Sequence, residues 1–114
     1  MKKTVFILAI AGASLFATQA FADPIEGMWK RPNGILVKFS ACGSGFCATA
    51  ASGPHAGGSA GKLSASGGGK YTGSLTDLES GKTYSGSGAV SGGSLKVTGC
   101  VMGFLCKSET WSRQ

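Results

Sequence analysis

The sequence predicts an all-β fold, a small antiparallel meander closed into a barrel of about eight short strands. Three observations carry that expectation. Apolar residues recur with period two in run after run, the runs are separated by Gly-, Pro- and Asn-rich breaks, and no stretch after the first 22 residues is helical in pattern. Closure is expected because an open meander of this kind would leave two unpaired edges.

Residues 1–22 read as a leader rather than as part of the fold. Lys2 and Lys3 precede an apolar run, and Ala20-Phe21-Ala22 puts small residues at both positions a signal peptidase reads. Cleavage before Asp23 is expected, leaving one domain, residues 23–114, in the periplasm or the medium. The apolar run is too short for a membrane anchor, and no Cys follows the cut to carry a lipid.

The chain carries a formal net charge of +6, to which Lys2 and Lys3 contribute. Lys30, Lys38, Lys62, Lys70, Lys82, Lys96 and Lys107 are spread along the rest without forming a stripe, which argues against nucleic acid as a partner. A count of 20 Gly in 114 residues would ordinarily suggest disorder, but the alternation and the paired cysteines argue for a fold.

Taken in order, residues 25–30 read as a first strand with Ile25, Gly27 and Trp29 on one face, ended by the turn signal Pro32-Asn33-Gly34. Ile35, Val37, Phe39 and Ala41 then alternate with Leu36, Lys38, Ser40 and Cys42, and Phe46, Ala48 and Ala50 continue the apolar face beyond Gly43-Ser44-Gly45. These are a hairpin with Cys42 and Cys47 on its outer face. Residues 51–61 read as a loop, residues 62–66 as a short strand, and Gly67-Gly68-Gly69 as a break. Tyr71, Gly73 and Leu75 alternate next. The hairpin on which the chain centres follows: Tyr84, Gly86, Gly88 and Val90 up to Gly92-Gly93, then Leu95, Val97, Gly99 and Val101 after it. Residues 105–113 close the meander on Trp111.

Each cysteine pair straddles a turn, Cys42 with Cys47 and Cys100 with Cys106. After export, disulfides are the first reading, and of three connectivities the two local ones demand least of the geometry. Zinc is the rival reading, with looser spacing than such sites use. No cofactor and no metal is expected.

Matches to catalytic motifs do not survive inspection. Gly57-Gly58-Ser59-Ala60-Gly61 fits a nucleophile elbow, but that elbow needs a strand, a helix and a large α/β sheet. Gly61-Lys62 fails as a phosphate loop, with Ala56 in place of the first Gly and Leu63 in place of Ser or Thr. His55 is the only His, and Asp77, Glu79 and Lys82 lie around one turn. An enzyme is therefore not expected.

Several segments in order resemble the bacterial domain of unknown function 2147: Asp23-Pro24-Ile25-Glu26-Gly27-Met28-Trp29, Cys42-Gly43-Ser44-Gly45-Phe46-Cys47, Ser80-Gly81-Lys82-Thr83-Tyr84-Ser85-Gly86, Leu95-Lys96-Val97-Thr98-Gly99 and Thr110-Trp111-Ser112-Arg113. The resemblance implies an exported, lipocalin-like β-barrel of unassigned function. Gly27, Trp29, Trp111 and Arg113 also resemble the structural signature of lipocalins, which implies that Arg113 lies over Trp29 near barrel closure. The segment at 51–61 is shorter than is usual in that family, and the second cysteine pair is not expected in every member.

Two functional classes fit. One is a module that binds a small apolar or amphipathic molecule inside the barrel. The other is a protein-binding barrel such as a periplasmic lysozyme inhibitor, whose Ser-Gly-x-x-Tyr loop Ser80-Gly81-Lys82-Thr83-Tyr84 resembles. A membrane-embedded barrel is disfavoured, since Lys38, Lys96 and Thr98 would face lipid. Strand parity turns many glycines inward, so the interior is either tightly closed, the preferred reading in so short a chain, or hollow. The same parity sends Lys107 and Glu109 inward, which is costly unless they pair or reach a mouth. The expected ligand site is a small mouth lined by Tyr71, Tyr84, Glu109 and Trp111.

Overall fold

The structure, a computed structural model, describes residues 23–114; the expected leader, residues 1–22, lies outside the described residues. Eight strands follow one another around a closed barrel: β1 (Gly27–Lys30), β2 (Leu36–Cys42), β3 (Gly45–Ala50), β4 (Ser59–Gly67), β5 (Lys70–Asp77), β6 (Lys82–Ser91), β7 (Ser94–Val101) and β8 (Leu105–Arg113). Every neighbouring pair is antiparallel. The ring closes where Trp29 stands opposite Arg113 and Lys30 opposite Ser112. The central hairpin turns on Gly92 and Gly93, with Ser91 paired to Ser94.

Period-two patterning works here because each strand buries one face. Ile25, Trp29, Phe39, Leu63 and Leu95 are almost wholly excluded from solvent, whereas Lys38 and Lys96 stand exposed on the outer face. Among the described residues no helix is long and apolar enough to cross a membrane.

Three local expectations are corrected. Strand β4 begins at Ser59, so the connection is residues 51–58 rather than 51–61, and the strand is longer than residues 62–66. The glycine that reads as loop punctuation is instead a point of close approach: a Cβ on Gly61 would lie 2.2 Å from the Ser74 carbonyl oxygen. Strand β1 begins at Gly27, and Ile25 sits before it in a turn closed by the Glu26 N–H on the Asp23 carbonyl at 2.9 Å. Ile25 is nonetheless fully buried. Ala41, expected inward, is exposed near the tip of the β2–β3 hairpin, where strand twist carries the chain away from the core.

The inward glycines do not simply leave empty space. A Cβ on Gly86 would fall 2.6 Å from Leu75 Cγ, one on Gly88 3.2 Å from Leu95 Cδ1, and one on Gly99 3.4 Å from Tyr84 Cβ. Large side chains on adjacent strands lie over them. Gly73, exposed rather than buried, has a different role, because its Cβ would lie 2.1 Å from the Lys62 carbonyl oxygen, so only glycine lets β4 and β5 run this close.

Both local disulfides are present, Cys42–Cys47 and Cys100–Cys106. Cys100 stands directly opposite Cys106, whereas Cys42 faces Gly45 and Cys47 faces Ser40, so the first bridge runs diagonally. Small disulfide-stapled barrels of this kind belong to oxidising compartments.

Candidate functional site

In an antiparallel meander the odd-to-even connections all emerge at one end of the barrel and the even-to-odd connections at the other. The two ends are built differently. At the even-to-odd end, the turn of residues 23–26 lies under the barrel: Ile25 is buried, its carbonyl accepts the Trp29 indole N–H at 2.8 Å, and the Tyr71 hydroxyl donates to Asp23. Phe46 meets Tyr71 edge to face at 5.9 Å. That end is filled.

At the other end the barrel opens into a cavity of about 190 Å³. Leu75, Val97, Tyr84 and Trp111 form its apolar wall, and Arg31, Asp77, Lys107 and Glu109 supply charge around it. Each reaches the mouth for a topological reason. Arg31 directly follows β1, Asp77 ends β5, Tyr84 lies near the start of β6, and Lys107 near the start of β8. The three connecting segments 51–58, 78–81 and 102–104 surround this same end, the last exposing Met102 and Phe104 next to the exposed Leu105 that opens β8. An adjoining recess of about 30 Å³ is lined by Ile35, His55 and Leu78.

The inward carboxylate of Glu109 is satisfied by neighbours. Arg31 donates through Nε to Oε1 at 3.1 Å and through Nη2 to Oε2 at 2.9 Å, and the Trp111 indole N–H donates to Oε1 at 2.8 Å. The Arg31 guanidinium also lies 5.8 Å from the Trp111 ring centroid. The hydrogen bond from Arg31 holds the Glu109 carboxyl below its ordinary range, against the opposing effect of burial, and Trp111 adds to it. The same bond raises Arg31. Pairing at a mouth is thus how the fold accommodates an inward acid.

The expected site residues divide. Tyr84, Glu109 and Trp111 come together around the cavity; Tyr71 does not. It is buried near the start of β5, close to the filled end, where burial pushes its phenol up to about 12 with the hydrogen bond to Asp23 adding to the effect. Alternation places Tyr71 correctly on the inner face but carries no information about which end of the barrel it serves. Arg31 carries no sequence signal at all, since it stands beside a turn and its partner lies 78 positions away. At the closure, Arg113 lies over Trp29 at 4.2 Å from the ring centroid, and Gly27, with φ of +119°, leaves room for it.

Residues 58–113 match the model of a family described as "Uncharacterized protein conserved in bacteria (DUF2147)". That match covers a little under half of the chain. The matched segment takes in β4 to β8, and with them Tyr84, Lys107, Glu109 and Trp111 of the cavity. Arg31, Val37 and both members of the first disulfide lie before it. No curated protein and no solved structure matches the chain.

Proposed function

We propose that this protein is an exported, non-enzymatic binding barrel, working in the periplasm or outside the cell, that takes a small apolar or amphipathic molecule into its open end. One observation carries the reading: an apolar cavity of about 190 Å³ with a charged rim, in a protein whose other end is filled. Unfilled apolar volume is costly in so small a core, and a cavity with a few placed polar groups is what ligand sites offer. The volume is below the roughly 300–1,000 Å³ of sites for drug-sized molecules, so either the ligand is small or only its apolar end enters. The wall Leu75–Val97–Trp111 would receive an alkyl chain, and Tyr84 and Lys107 would meet a polar head.

The test uses 1-hexanol and hexanoate as probes, followed by tryptophan emission and by the NMR signal of the Trp111 indole N–H. Gly99 lines the cavity, and its Cβ position is in ordinary contact with Tyr84 at 3.4 Å, so Gly99→Leu fills the site. The parent is expected to bind at least one probe and Gly99→Leu to bind it at least tenfold more weakly, with Lys38→Ala on the outer face unchanged. Binding that survives in Gly99→Leu, or no binding of either probe, overturns the reading.

A protein partner is the second reading. It is favoured by the exposure of Ser80, Gly81 and Lys82 in the β5–β6 turn beside the mouth, in the segment that resembles a lysozyme-inhibitor loop. Inhibition of lysozyme by micromolar protein supports it, and lack of inhibition removes it.

A further inference from the structure

The residues just after the expected cleavage point form a closed set of contacts. The Asp23 main-chain N–H donates to Glu26 Oε2 at 3.2 Å, and the Glu26 N–H donates back to the Asp23 carbonyl at 2.9 Å. The Asp23 carboxylate accepts the Ile25 N–H at 3.2 Å and the Tyr71 hydroxyl. Arg113 donates to the Pro24 carbonyl and, at 3.1 Å, to the Glu26 carbonyl. The main-chain nitrogen of Asp23 is therefore held at a set position against a carboxylate.

The charge among the groups that make these contacts is unbalanced. Asp23 and Glu26 supply two carboxylates, Arg113 supplies one guanidinium, and Tyr71 is a neutral phenol. One more positive charge would balance the cluster, and a peptide N–H does not provide it. We infer that this set of contacts is a docking site for a free α-amino group, created when the peptide bond before Asp23 is cut. In that step an endopeptidase of the signal-peptidase class adds water across the bond: the hydroxyl goes to the Ala22 carbonyl carbon, the Asp23 nitrogen leaves as an amine, and protonation makes it an ammonium paired with Glu26. Processing then locks the 23–26 turn, and with it Ile25, under the filled end of the barrel.

Two independent lines meet at this bond. The small-residue pattern Ala20-Phe21-Ala22 places the cut there, and the contacts of Asp23 place a carboxylate beside the nitrogen the cut would release. An opposite charge this close favours the charged form of the amine. The folded pKa of the amine is then raised above its unfolded value. Its contribution to stability is fully present below that unfolded value, about 7.7–8.0, and is lost as pH rises through the folded one. The inference does not depend on what the cavity at the opposite end binds.

The experiment compares a protein beginning at Asp23 with one carrying Gly-Ser ahead of it, each with Glu26 and with Glu26→Gln. The α-amine, titrated by NMR, is expected to have a pKa at least about half a pH unit higher with Glu26 than with Glu26→Gln. The extension is expected to lower Tm at pH 7 by about 3 °C with Glu26 present and by a much smaller amount with Glu26→Gln, the gap closing by about pH 10. Equal amine pKa values together with equal effects of the extension overturn the inference. If Glu26→Gln does not fold, an amine pKa in the Asp23-start protein no higher than the ordinary range does the same. So does an exported protein whose mass shows another first residue.

Discussion

Arg31 and Glu109 stand 78 positions apart in the chain, yet two hydrogen bonds of 3.1 and 2.9 Å join them at the mouth of the barrel, next to the indole of Trp111. The pair links the exit of β1 to the middle of β8. It also fixes the rim of the cavity on the side where the ring of strands closes.

Acid should weaken this link. The folded pKa of Glu109 is depressed, so its contribution is present above the unfolded carboxylate value, about 4.3, and is lost as pH falls through the lower folded value. Glu109 is partly exposed, so screening keeps the contribution to about 1 kcal/mol or less. Glu109→Gln should therefore lower Tm at pH 7 by a few degrees, with the gap to the parent shrinking below about pH 4. A gap that stays constant down to about pH 2.5 would show that charge pairing is not its source.

Removing Arg113 should loosen barrel closure. It lies 4.2 Å from the Trp29 ring centroid and donates to the carbonyls of Pro24 and Glu26. Arg113→Ala is expected to cost about 1–2 kcal/mol in urea unfolding, and Arg113→Lys to recover little, because an ammonium lacks the planar fork. Full recovery by lysine would mean that charge alone matters here.

Three glycine-to-alanine substitutions should rank by what the new methyl group meets. In Gly73→Ala it meets backbone, in Gly86→Ala the movable side chain of Leu75, and in Gly99→Ala only ordinary contact with Tyr84. The expected order of destabilisation is Gly73 greatest and Gly99 least, with about 1–3 kcal/mol for the overpacked sites. Chemical denaturation of the three variants reads this directly, and a reversed order would mean that the strand spacing differs from that described.

Each disulfide closes a short hairpin, with sequence separations of 5 and 6. Chain entropy assigns such loops about 2 kcal/mol each. Replacing either pair by serine should lower the urea midpoint, and peptide mapping without reduction should link Cys42 to Cys47 and Cys100 to Cys106. A Cys42–Cys100 peptide would contradict the strand registers.

The all-β class and the meander were legible in the sequence because alternation is a local property, while closure was expected only from the general need to pair the two edge strands. Each strand declares its buried face through its own residues, as Val37 and Phe39 do in β2 or Leu95 and Val97 in β7. Turn chemistry at Gly92-Gly93 and the two close cysteine pairs are equally local. Strand boundaries were legible only where a glycine marks a turn. Gly61 misled because a glycine needed for close approach and a glycine needed for a loop look the same in a sequence.

The cavity is a different matter. Parity placed Tyr71, Tyr84, Glu109 and Trp111 on the inner face but not at an end. Their positions along antiparallel strands put Tyr71, at the start of β5, and Tyr84, near the start of β6, at opposite ends, and the three-dimensional ring brings Glu109 and Trp111 to the mouth beside Tyr84. Arg31 was invisible as a partner for Glu109 because their meeting depends on β8 returning to β1, a contact no local pattern encodes. Whether an inward glycine leaves a void depends likewise on the residue across the ladder: Leu75 covers Gly86, while Gly99 remains on the wall of an open space. Local chemistry determined which face each residue takes. Tertiary closure decided which end of the barrel is filled and which is hollow, because that depends on side chains brought together from strands far apart in the chain.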